Sequence, residues 1–153
     1  MKKELLLILT VIITLTFSAC GQNTDQIVAF QNELYSTVSE IESLHNELNN
    51  LDVTDSAASA TALDLLSQLN LAFEDLAETN FVDEEFSYLA DLADEGAEYM
   101  SYAYKLYKAA YSDYGFDKEN ADLAYKYLER ATTRIRVIVS MLHGEIPEDV
   151  IVH

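Results

Sequence analysis

From Ile27 onward, buried-type residues recur every seven positions in two interleaved series. Ile27, Leu34, Ile41 and Leu48 form one, and Phe30, Thr37, Leu44 and Leu51 the other. A seven-residue step returns a side chain to the same face of an α-helix after two turns, so the pattern predicts a long helix with one buried seam. Asn23 or Thr24 can cap its start, and Asn49-Asn50 marks its end. Three further segments carry the same signature. One runs from about Asp55 to Glu78, with Ala58, Ala62, Leu65, Leu66, Leu69, Ala72, Phe73 and Leu76 on one face. The next runs from about Asp83 to Tyr114, with Phe86, Leu89, Ala90, Ala93, Ala97, Met100, Tyr104, Tyr107 and Tyr111 inward, and is stopped by Gly115. The last starts at an Asp117 cap, turns Ala121, Ala124, Leu128, Ala131, Ile135, Ile138 and Leu142 inward, and ends at Gly144 and Pro147. No segment combines sustained strand alternation with turn signals, so a sheet has little support.

The connections between these segments are short, which makes sequential helices antiparallel neighbours. The sequence therefore predicts an all-α, up-down-up-down four-helix bundle over residues 24–144, with helices of about 25 residues, each roughly 38 Å long. Half of the 153 residues are apolar, enough to bury a core despite a net charge of −18. The tail 145–153, with Val150, Ile151 and Val152 after Pro147, is expected to be extended.

The first nineteen residues read differently. Lys2 and Lys3 precede an apolar run from Leu5 to Phe17, broken only by threonines, which stops at Ser18-Ala19-Cys20-Gly21. A positive start, a short apolar middle and a small-residue end make a secretory signal peptide, too short to span a bilayer comfortably. Around Cys20, the only cysteine, the segment resembles the lipobox of bacterial lipoproteins, with Phe17 where that class usually has Leu. The resemblance covers residues 1–20. It implies cleavage after Ala19 and a diacylglyceryl group on the Cys20 thiol, with residues 20–23 as a tether. It also implies attachment to a bacterial membrane on its extracytoplasmic side, and two acyl chains make such an anchor stable. An even number of helices then puts Cys20 and the tail at the same end of the bundle, facing the membrane.

Several kinds of chemistry are disfavoured. A lone cysteine excludes an internal disulfide and any multi-cysteine metal site. The acidic balance repels phosphate backbones, so no nucleic-acid partner is expected. Di-metal bundles need inward Glu residues and paired Glu-x-x-His steps. Only Glu42 and His45 have that spacing, and His143 falls at the opposite end. Asp113, Asp117 and Glu119 lack the spacing of a calcium loop, and capping accounts for Asp117. No phosphate loop or nucleophile motif is present, and neither catalysis nor a cofactor is expected.

Two features exceed what a bundle needs. Residues 21–104 hold eighteen acidic side chains and no Lys or Arg, whereas 105–153 hold seven basic and eight acidic ones. Tyr88, Leu92, Tyr99, Tyr102 and Leu106 also form a second stripe on the third helix, about 120° from its seam. On the fourth, Leu123, Tyr127, Val137 and Met141 do the same, beside Arg130 and Arg134. Nine of the ten tyrosines lie between Tyr88 and Tyr127. Tyr, Met and Arg are characteristic of interface cores, and Tyr and Arg of hot spots. The stripes predict that the outer face of the third and fourth helices receives another protein or a second copy of the chain. Their ordinary alternative is boundary packing, with rings turned sideways and hydroxyls wet. The alternative functional reading is a bundle that binds a small ligand or a divalent cation in a core lined by Tyr104, Tyr107 and Tyr111.

Overall fold

The computed structural model describes residues 24–52, 57–79, 87–112 and 115–143. Four helices account for nearly all of these: α1 (Thr24–Asn49), α2 (Ala58–Glu78), α3 (Ser87–Ala110) and α4 (Lys118–Leu142). Sequential helices pack against one another, α1 on α2, α2 on α3 and α3 on α4, as an up-down four-helix bundle. The signal segment, Cys20, the tether and the tail lie outside the described residues, as do Asp55 and Asp83, the expected starts of α2 and α3.

The seven-residue series supply the core. Phe73, Leu34, Ile41, Leu66, Leu69, Leu76, Leu89, Met100 and Ile138 are fully buried, each contributing roughly 1.5–3 kcal/mol of hydrophobic stabilisation. Val38, outside both series of α1, is buried as well, one turn beyond Leu34. Ile27 and Phe86 lie outside the described side chains. Gly96 lies mid-helix in α3, where glycine costs helix stability. The fully buried Phe73 ring of α2 rests against it, so that a Cβ there would meet Phe73 Cε1 at 3.1 Å. Thr132 is the buried polar side chain among the described residues, and its hydroxyl donates to the Leu128 and Glu129 carbonyls one turn back, at 3.0 and 3.2 Å.

Between α3 and α4 the structure departs from the expected continuous helix to Tyr114. The helix ends at Ala110, and two-residue strands, β1 (Tyr111–Ser112) and β2 (Gly115–Phe116), pair antiparallel with Tyr111 opposite Phe116. The Asp117 amide donates to the Ala110 carbonyl at 2.9 Å, which closes the hairpin. Asp117 then caps α4, its Oδ1 accepting from the amides of Glu119 and Asn120 at 3.0 and 3.1 Å.

The seams are unequal. Backbone contact is most extensive between α3 and α4, whereas α1 and α4 meet far less than any sequential pair. The α1/α4 gap is a cleft of about 280 Å³ lined by Ile41, Glu42, His45, Asn46, Thr132, Ile135 and Arg136. Tyr35 and His143 stack at 6.4 Å between ring centroids, bringing the end of α4 against the N-terminal half of α1.

Candidate functional site

The second stripes of α3 and α4 are largely turned toward each other. Leu92 and Val137, expected on the outer face, are only 6% and 4% exposed and belong to the core. Their angular offset is the direction in which the neighbouring helix lies. Tyr99 and Tyr127 are half-buried against the core, with ring centroids 6.2 Å apart, and Tyr102 lies 5.3 Å from Tyr127. Met141 also packs against the core, and Leu106 is half-buried.

Arginines cover this row of rings. The Arg130 guanidinium sits 5.8 Å from the Tyr99 centroid and 5.5 Å from that of Tyr127, and Arg134 lies 5.6 Å from Tyr99. Guanidinium groups stack on aromatic faces because they are planar and weakly hydrated. Arg134 is further held by Nε donating to Glu95 on α3 at 2.6 Å. Of the residues predicted to bind a partner, Tyr99, Tyr102, Tyr127, Arg130 and Arg134 thus form one cluster, and part of its surface is spent within the molecule. Tyr102 remains 44% exposed and Leu123 41%, and Tyr88 is exposed as well. Lys105 stands 5.9 Å over the Tyr102 ring.

Beside the rings, a groove of about 430 Å³ runs along α4, lined by Lys126, Glu129, Arg130, Thr133, Arg134 and Arg136. Among the described residues, carboxylates pair with Arg134 and Lys118, and none pairs with Lys126, Arg130 or Arg136. Interaction with the Glu129 carboxylate raises the Tyr125 phenol above its ordinary pKa.

The tyrosines of the alternative site differ in burial. Tyr104 and Tyr107 are half-buried against the core. Burial, with smaller contributions from Tyr111 and Tyr125, pushes Tyr107 up to about 12. Tyr111, expected inward, lies in β1 at 38% exposure and packs its ring 5.3 Å from that of Phe116. Neither described cleft is lined by these three residues. Phe116, 61% exposed in the hairpin between α3 and α4, is a surface aromatic that the periodicity did not single out. Its signal was an aromatic on either side of a short Gly-containing turn.

Glu42 and His45 both line the α1/α4 cleft. Burial lowers the His45 pKa first and the Arg136 charge second, so the imidazole is held neutral. Among the described residues no three His, Cys, Asp or Glu side chains gather as a metal site, and no helix is long and apolar enough to cross a membrane. The Asp117 carboxylate is occupied by the start of α4, with Oδ2 accepting from the Asn120 side chain as well. Compared with known proteins, the chain matches no family model, no curated sequence and no solved structure.

Proposed function

We propose that this four-helix bundle is a binding module without a catalytic step, anchored through a diacylglyceryl group on Cys20 to the extracytoplasmic side of a bacterial membrane. It receives a protein partner on the α3/α4 surface. The observation that carries the reading is the remainder left after the stripes have packed. Tyr88, Tyr102 and Leu123 stay exposed on these two helices, and Tyr102 packs on the Tyr127 ring over which the Arg130 guanidinium stands. Rigid aromatics and a pre-placed arginine lose little conformational entropy on binding, which is what makes such groups effective interface anchors.

A photo-crosslinking residue at Tyr102, in the chain expressed with its leader, tests the reading against the same residue at Glu40 on α1. Discrete adducts from position 102, absent from position 40 and lost in the Tyr88→Ala/Leu123→Ala background, are expected. Equal adducts from both positions, or none from 102, would defeat it. The anchor has its own readout: Cys20→Ser should release the protein from the membrane fraction.

A further inference from the structure

The groove on α4 is an exception to the charge of the whole chain. Eighteen carboxylates and no cation occupy residues 21–104, yet Lys126, Arg130, Arg134 and Arg136 converge on one groove whose own acid is Glu129. Lys126, Arg130 and Arg134 are spaced by four residues, so they rise about 6 Å per step along one face of the helix. Glu95 neutralises Arg134, and Arg130 is immobilised on the rings of Tyr99 and Tyr127. Lys126, Arg130 and Arg136 have no carboxylate of their own among the described residues. Uncompensated cations gathered along one groove repel one another, a cost that an anionic partner removes.

Resting on the α3/α4 reading above, we infer that the partner lays an acidic helix along α4, with carboxylates four residues apart facing Lys126 and Arg130 and a further acid toward Arg136 at the edge of the groove. Two observations favour a carboxylate-bearing helix over a phosphate polymer. A helix with acids at i and i+4 has the same 6 Å repeat as the cation ladder, and its neighbouring positions can carry the apolar side chains that Tyr102 and Leu123 need. Glu129 also lies within the groove, where a chain charged at every unit meets it with repulsion, whereas a helix can set an uncharged or basic residue opposite. A second copy of the chain is opposed by its own net charge of −18.

The test uses the purified protein and two synthetic helical peptides with the same leucines, one bearing Glu and the other Gln at three successive four-residue steps. Anisotropy titration at low salt should give at least roughly tenfold tighter binding for the Glu peptide, with the advantage shrinking at high salt. Lys126→Gln with Arg136→Gln changes only exposed, unpaired side chains and should remove most of that advantage. Equal affinities for the two peptides, or displacement of the Glu peptide by inorganic polyphosphate at matched charge, would overturn the acidic-helix assignment. So would a salt-labile dimer in light scattering. Failure here with persistent crosslinks at position 102 rejects the partner's chemistry alone, whereas loss of those crosslinks rejects the docking face itself.

Discussion

Gly96 shows how one residue can be right for a helix it weakens. An alanine there gains about 1 kcal/mol of helix propensity, but its Cβ would press on Phe73 Cε1 and Cδ1 at 3.1 and 3.3 Å. The Phe73 ring is fully buried and would have to give by a few tenths of an ångström, and overpacking of this kind costs about 1–3 kcal/mol. Gly96→Ala is therefore expected to be destabilising on balance, by about 1 kcal/mol, in urea unfolding. A stabilised variant would mean that α2 and α3 can part at little cost. His45 offers a second single-residue check. Its folded pKa lies below the ordinary 6.5, through burial first and Arg136 second. Unfolding therefore takes up a proton: the stability from neutral His45 is whole above about 6.5 and is lost as pH falls from there toward the folded pKa. NMR titration should place the midpoint below 6.5, and Arg136→Ala should raise it without restoring it fully.

At the scale of the element, what was legible and what was not follow from what periodicity encodes. Spacing gives the angle of a side chain about its helix, so the core seams could be read from Leu34, Leu69 or Leu128 directly. It does not say what stands at any other angle. That is why Leu92 and Val137 looked outward and are buried, and why the ring row of Tyr99 and Tyr127 looked like a free surface. Counting in sevens also carried α3 past its end. Tyr111 keeps the register, but the chain must reverse within six residues, and the backbone leaves the helix at Ala110 to form β1 and β2. At Asp117 capping was a legible local signal, because it is set by one side chain and the amides two and three residues further on. Asp117 accepts from both at 3.0 and 3.1 Å. Asp117→Ala is expected to cost about 1 kcal/mol of stability, measured by thermal or urea unfolding. A neutral result would show the hairpin alone holds the start of α4.

For the whole molecule, the unequal seams and the unequal charge act on the same helix. α1 packs closely on α2 alone, opens a cleft toward α4, and belongs to the stretch that has no cation. α3 and α4 instead share the most extensive backbone contact, a row of packed rings and the Arg134 to Glu95 ion pair. Self-repulsion among like charges destabilises a compact state and is screened by salt over a Debye length of about 10 Å at 0.1 M. Raising salt from about 10 to 150 mM should therefore raise the unfolding temperature, even though it weakens the single inter-helix ion pair described. Amide hydrogen exchange separates the two contributions. Amides of α1 should exchange by a local opening of lower free energy than those of α3 and α4, and added salt should protect α1 most. If all four helices exchange together at the global free energy, the open seam is no weakness. If salt protects α3 and α4 as much as α1, the acidic surface is not what strains the bundle, and the asymmetry of charge then serves the partner rather than limiting the fold.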